Sequence, residues 1–366
     1  MNLVNRTQMV VGYSMGMDPA GRQHVVVAVK GTFTIPKGGG SLRLAQGQLP
    51  LVLADTFTGE PGLSATVYEA DLCMGKPYCD VLLNGSAWAP GGRPTTRTHV
   101  ELRVGSIRKR FDVVGERTWR RRWLRGLRPS RAEPFSSMPI SYDRAYGGID
   151  DSDPECCQFY ARNLAGVGYH PRRSRRAIQG QPVPNTEERS SPIRHVTGRY
   201  RPMSFGAVAR GSPERVALAG TFDQQWSDEV FPFLPADFDP RYYQSAPMDQ
   251  QMDHPRAGEV VELTNLTPEG KTVFRLPTTE IVFEFASVLG ETAEKTGVLD
   301  TVVIEPDQNR VLLTWRALHP IRRNLLEVKR IVVAPMTRGW RRAKETGKEY
   351  RPLGHFRRPT EATRTD

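Results

Sequence analysis

Residues 100–114 leave little choice of local structure. Val100, Leu102 and Val104 alternate with Glu101 and Arg103, Gly105-Ser106 interrupts, and residues 107–114 continue the pairing. A period of two belongs to a strand. A two-residue loop with glycine first suits the type II′ turn, whose twist matches that of antiparallel strands. This stretch is a β-hairpin.

Similar signals recur along the chain. Residues 24–35 contain Val25-Val26-Val27-Ala28-Val29, a continuous run that suits a strand buried on both faces, and its β-branched content argues against helix. Residues 10–15 are a shorter strand candidate, joined to that run through the turn sequence Asp18-Pro19-Ala20-Gly21. Leu42-Arg43-Leu44 alternates after it. Val81-Leu82-Leu83 and Ala87-Trp88-Ala89 are short strand pieces, and the Asn84-Gly85 between them is a strong hairpin signal. Further on, residues 260–263 and 273–276 flank the turn Thr267-Pro268-Glu269-Gly270. Residues 281–285 place Ile281, Phe283 and Phe285 on one face. Residues 299–305 and 311–315 meet through Pro306-Asp307-Gln308-Asn309, and residues 325–334 close the series.

The expected fold is therefore mainly β, with antiparallel sheets built from hairpins in a sandwich-like arrangement. The 33 glycines and 29 prolines fit a turn-rich chain of this kind. The chain divides into an N-terminal β region (1–116), a loop-rich middle (117–256), a C-terminal β region (257–336) and a basic tail (337–366). The middle loses its period but is too rich in Trp, Tyr and Phe for disorder. It is expected to form ordered loops with few short helices, packed over the sheets, and the tail to be a mobile or partly tethered arm.

The middle region is centred on residues 134–148, Pro-Phe-Ser-Ser-Met-Pro-Ile-Ser-Tyr-Asp-Arg-Ala-Tyr-Gly-Gly. Phe135, Met138 and Pro139 are expected to pin it into a core. Gly147 and Gly148 should allow a turn that side chains would block. Asp143 and Arg144 should satisfy neighbouring loops, and an exposed Tyr142 or Tyr146 could touch a partner.

Enzyme motifs are scarce: the chain has no G-x-S-x-G, no phosphate-binding loop, no H-E-x-x-H and no dinucleotide fingerprint. Cys156 and Cys157, near His170 and His195, make a poor metal set because adjacent cysteines are rarely both zinc ligands. No cofactor and no metal is expected. Asp143, Glu187, Asp223, Asp237, Asp239 and Asp249 all fall in the middle region. Two of them converging in a cleft could run glycosidic acid–base chemistry. The favoured alternative is that they cap turns and pair with arginines such as Arg144, Arg162 and Arg241.

The net charge of +11 suggests an acidic partner without choosing one. The best basic patch is Arg117, Arg120, Arg121, Arg122, Arg125, Arg128 and Arg131, interleaved with Trp119 and Trp123; residues 170–176 add a second cluster. Arginines can track phosphates and indoles can stack on bases, but no known nucleic-acid fold matches; a basic surface that docks an acidic protein is an equally good reading, and most such runs are merely solvated, so nucleic acid is not favoured. Residues 1–7 are polar and residues 9–11 too short for a secretory leader, no stretch approaches a membrane span, and the four cysteines form no C-x-x-C. A cytoplasmic protein with reduced thiols is expected.

Many ordered blocks together resemble a known family. They include Val29-Lys30-Gly31-Thr32-Phe33, Gly59-Glu60-Pro61, residues 71–81, Ala89-Pro90-Gly91-Gly92 and residues 135–148. They continue through residues 163–169, Pro184-Asn185-Thr186-Glu187, Ala219-Gly220-Thr221-Phe222-Asp223 with Trp226, residues 234–239 and Ala246-Pro247-Met248-Asp249-Gln250. The chain is similar, from residue 2 to about 317, to the domain-of-unknown-function 2169 family, whose genes lie in bacterial type VI secretion clusters beside spike and PAAR-tip genes.

The resemblance implies a cytoplasmic adaptor or chaperone that binds an effector or PAAR-tip protein, with the spike protein as a further candidate partner, and aids loading. It implies no catalytic residue. Candidate partner-binding residues within these blocks are Tyr142, Asp143, Arg144, Tyr146, Asn185, Glu187, Trp226, Asp237, Asp239, Asp249 and Gln250, with Arg120, Arg121, Arg122 and Arg125 as a basic patch. Residues 205–215 depart from the family pattern, which leads one to expect a tryptophan before an arginine there.

Overall fold

The computed structural model describes residues 1–348, apart from 124–125, 256–257 and 323. Strand Gln23–Thr34 is buried along most of its length because it lies inside a sheet. Val10–Met17 pairs with one side of it and Arg310–Pro320 with the other, so that Val29 stands opposite Trp315. The sheet continues through Val298–Glu305, Cys79–Leu83 and Gln251–Met252, while Arg43–Leu44 adds to Gln23–Thr34. N-terminal and C-terminal strands are thus interleaved within one sheet.

A second sheet runs Thr186–Glu187, Ile107–Val114, Arg97–Val104, Val260–Thr264, Lys271–Arg275. A third runs Asn2–Asn5, Val328–Pro335, Ile281–Ser287, Thr292–Thr296. Their apolar faces meet in one core that contains Val29 and Val302, Leu102 and Leu263, and Phe283 and Ile331. The architecture is mainly β and mostly antiparallel, with only a few short helices.

The hairpin at 100–114 forms with Val104 opposite Ile107, and the left-handed φ falls on Gly105 at 52°, as a type II′ turn requires. The hairpins at 260–275 and 298–320 also form. Asn84-Gly85 does not make a hairpin. Cys79–Leu83 pairs in parallel with Val298–Glu305, while Gly85–Trp88 leaves that sheet and pairs with Ser137–Ile140. One edge of Cys79–Leu83 is taken by Val298–Glu305; on the other, Gln251–Met252 pairs with residues 79 and 80, Gln250 donates to the Val81 carbonyl and the Leu83 amide donates to the Phe205 carbonyl at 3.1 Å, which displaces a local partner. Residues 325–327 form a 3₁₀ turn before the last strand, Val328–Pro335.

Several further elements carry no sequence signal recognised above, Thr292–Thr296 among them. Asn2–Asn5 joins the third sheet parallel to Val328–Pro335. Trp119–Arg122 pairs with Gly126–Pro129 as a small hairpin. The tail begins as the helix Arg338–Glu345, tethered by Trp340, which is buried against Val282, Val332 and Ala334; residues 349–366 lie outside the described residues.

Buried ion pairs fasten loops to the large sheet. Lys76 Nζ lies 2.6 Å from Asp80 Oδ2, and Asp80 also accepts from Gln244 Nε2 at 2.6 Å and the Ser245 amide at 2.7 Å. Lys30 pairs with Asp71 at 2.9 Å, and Arg316 with Asp300. Such pairs add little net stability over apolar packing, but losing one partner costs about 3–5 kcal/mol. The Asp80 pair holds residues 244–245 against strand Cys79–Leu83, and the Asp71 pair holds Val52, whose amide donates to Asp71 at 2.7 Å.

Candidate interaction site

Residues 134–148 form a strand, a 3₁₀ turn and a glycine corner in succession. In Ser137–Ile140, Met138 and Ile140 point into the core with Phe135, and the alternation turns Pro139 outward. The expectation that Pro139 is a core anchor is corrected; Ile140 takes that place. Asp143 accepts from Ser141 Oγ at 3.0 Å, Thr58 Oγ1 at 2.9 Å and the Ala65 amide at 2.8 Å, which holds residues 58–65 against the turn. Arg144 Nη1 reaches Glu116 at 2.6 Å and Asn185 Oδ1 at 3.2 Å. Gly148 has φ 109°, and a Cβ there would sit 2.5 Å from the Gly166 carbonyl oxygen. The corner admits only glycine.

The tyrosines are not surface groups. Tyr146 is buried, donates to the Gly198 carbonyl at 2.8 Å and meets Tyr160 and Tyr200 edge-on with centroids 5.0 and 5.2 Å away. It is unavailable to a partner. Tyr142 is 9 % exposed and borders a cleft; burial pushes its phenol above the ordinary tyrosine range.

Three more expected partner contacts are also interior. Glu187 is buried, pairs with Arg97 and with Arg117 at 3.1 Å, and accepts from the Ile193 amide at 2.9 Å. Asn185 donates to the Val114 carbonyl at 3.1 Å, which extends the edge of the second sheet. Gln250 bridges the Val81 and Phe205 carbonyls at 2.7 and 2.9 Å. Each is a polar group whose bonds are made inside the fold, and each is corrected from partner contact to support.

The cleft beside Tyr142 encloses about 650 Å³. Leu218, Tyr78 and Met248 supply apolar walls, and Met248 is 80 % exposed. Arg201 donates to Asp249 at 2.7 Å, while Lys109 Nζ bonds Asp249 at 3.0 Å and Gln250 Oε1 at 2.7 Å. Burial lowers the Lys109 ammonium to about 8, against the pull of Asp249 in the other direction. Arg162 pairs with Glu214 at 3.0 Å and Arg241 with Asp239. The cleft therefore offers aromatic, aliphatic and guanidinium surface, with its charges locally balanced. That mixture is typical of protein interface anchors.

A family model for uncharacterised proteins conserved in bacteria, DUF2169, matches residues 20–316. The chain belongs to the DUF2169 family. The match takes in the cleft, the glycine corner and all the candidate residues. No curated protein and no solved structure matches the chain.

The remaining candidates of this DUF2169 chain do not line the cleft, although Asp239 holds Arg241 at its rim. Trp226 sits on the helix Gln224–Glu229, capped by Asp223, and donates to the Phe233 carbonyl at 3.0 Å. Asp237 accepts from the Thr221 amide and hydroxyl at 2.9 and 2.8 Å, and these bonds hold its carboxyl below the ordinary range. Asp239 caps the turn Pro240–Tyr243; its bond with Arg241 is the main cause of its lowered pKa. Within the family match residues 205–215 remain structured: Phe205 packs on Phe111 at 4.6 Å, and Arg215 pairs with Glu69.

The basic patch is divided. Arg117 is buried on Glu187 and Trp119 is buried with Tyr146 and Ile178, so neither presents a surface. Arg120, Arg121 and Arg122 are exposed, Trp123 is 90 % exposed, and Arg125 lies outside the described residues. Among the described residues no group of three or more His, Cys, Asp or Glu could hold a metal, and no helix is long and apolar enough to cross a membrane. Met248, Tyr78 and Leu218 went unrecognised in the sequence. Met248 lies between Pro247 and Asp249, and a methionine in a polar, proline-containing turn was the available signal.

Proposed function

We propose that this DUF2169 chain is a non-enzymatic adaptor of a bacterial type VI secretion system. In this reading it binds an effector or PAAR-tip protein in the cytoplasm and aids its loading onto the spike. The cleft carries the reading: its exposed Met248 and apolar walls offer an adaptable surface for a polypeptide segment. The secretion context rests on the resemblance of the ordered blocks described above.

The distribution of carboxylates supports it too. Asp143, Asp237 and Asp239, the acids considered for a glycan hydrolase, are engaged by backbone amides, hydroxyls or Arg241. The test is capture of the products of the neighbouring genes by the purified chain. A PAAR-tip or effector protein should be retained, and Met248→Asp combined with Leu218→Asp should weaken retention by about tenfold or more. Failure to retain any cluster product would count against the proposal.

A further inference from the structure

Two exposed surfaces of the chain complement each other. The first is the loop from Thr221 to Asp237, closed at its neck by the Asp237–Thr221 bonds. Gly220, with φ 84°, makes that neck possible, since a Cβ there would lie 2.8 Å from Pro235. The loop turns apolar rings outward: Phe222 is 56 % exposed and Phe231 67 %, both packed edge-on to Trp226.

Its charge is of one sign. Residues 216–240 contain five acids (Asp223, Asp228, Glu229, Asp237 and Asp239) and no Lys or Arg, in a chain of net charge +11. Among the described residues, Asp223, Asp228 and Glu229 bond only neutral donors, the Trp226 amide and the side chains of Gln224 and Gln225.

The second surface is the hairpin arm of Trp119–Arg122. Arg120, Arg121 and Arg122 are exposed and form no ion pair among the described residues, and Trp123 follows them almost fully exposed. Acids with phenylalanines on one surface match arginines with an indole on the other. Guanidinium groups pair with carboxylates and stack on aromatic faces. No hydrogen bond, ion pair or ring contact joins the two surfaces within one chain, among the described residues.

We infer that the arginine hairpin of one copy docks on the residue 221–237 loop of another, so that the chain self-associates through complementary surfaces. The contact is small beside a stable dimer interface, so the association is weak and salt-sensitive. It is independent of the delivery reading, whose test uses other gene products and the cleft.

Sedimentation equilibrium of the full chain tests this. Its average mass should rise with concentration above that of one chain, and the dissociation constant should increase about tenfold between low salt and ~0.5 M salt. Two exposed charge reversals separate the surfaces. One variant carries Arg120→Glu, Arg121→Glu and Arg122→Glu; the other carries Asp228→Lys and Glu229→Lys. Each alone should be monomeric with an unchanged melting temperature, and an equimolar mixture of the two should associate again. A wild-type chain of single-chain mass at every concentration would overturn the inference, leaving an acidic partner for the hairpin or a cationic one for the loop. Variants that associate like wild type, or a mixture that stays monomeric, would overturn it equally.

Discussion

Residues 134–148 and residues 221–237 are written in much the same alphabet. Both mix phenylalanine, a second aromatic, proline and aspartate without a helical or strand period. Their fates differ. In the first, Phe135, Met138 and Ile140 enter the core, and Asp143 reaches residues 58 and 65 far along the chain. In the second, Asp223, Trp226 and Asp237 bond partners inside the same loop, and Phe222 and Phe231 face outward. The contrast teaches that composition specifies an ordered loop, whereas the distance over which its polar groups find partners decides whether it becomes scaffold or surface.

Substitutions can break or sharpen that contrast. The largest effect is expected at Glu187, which supports the scaffold side. Glu187→Ala strips a buried carboxylate from Arg97 and Arg117, and should destabilise by about 3–5 kcal/mol in denaturant unfolding.

Lys109 makes a similarly long-range tie, to Asp249 and Gln250. Its folded-state value near 8 lies below the unfolded lysine value, so the unfolded chain binds the extra proton between the two. The cost of burying the charge is therefore complete below pH about 8 and is relieved as pH rises toward 10.5. Stability of wild type relative to Lys109→Met should climb across that window, by on the order of 3 kcal/mol. A flat difference curve would remove Lys109 from the argument.

Asp143→Ala should cost about 1–3 kcal/mol, because the Ala65 amide loses its acceptor, and should speed hydrogen exchange in residues 58–65. Asp237→Ala, its counterpart in the self-contained loop, should destabilise less than Asp143→Ala and raise exchange only within residues 221–237. Phe231→Ser should change stability by less than about 0.5 kcal/mol, as expected of an exposed ring away from the core. If Phe231→Ser instead destabilised as strongly as Asp143→Ala, the two segments would not differ as described.

The sheets were legible where pairing is local. The hairpins at 100–114, 260–275 and 298–320 each put alternation beside a turn sequence, so register and turn agree. Asn84-Gly85 misled because Cys79–Leu83 takes its neighbours from residues 251–252 and 301–304, and such distant partners leave no local trace. Asn2–Asn5 went unread for the same reason.

At the site, the sequence singled out Tyr142 and Asp249, which do border or buttress the cleft. It could not separate them from Tyr146, Asn185, Glu187 and Gln250. A buried, fully bonded polar residue and an exposed one look alike until the long-range contacts are known.

The most direct test of the proposed role is site-specific photocrosslinking in cells that carry the whole gene cluster. A crosslinking residue is placed at Met248 on the cleft, and a control at Phe159, which is 57 % exposed. The account predicts a crosslink from position 248 to an effector or PAAR-tip product of the cluster, identified by mass, with none from position 159. Equal crosslinking at both positions, or none to any cluster product from position 248, would contradict it.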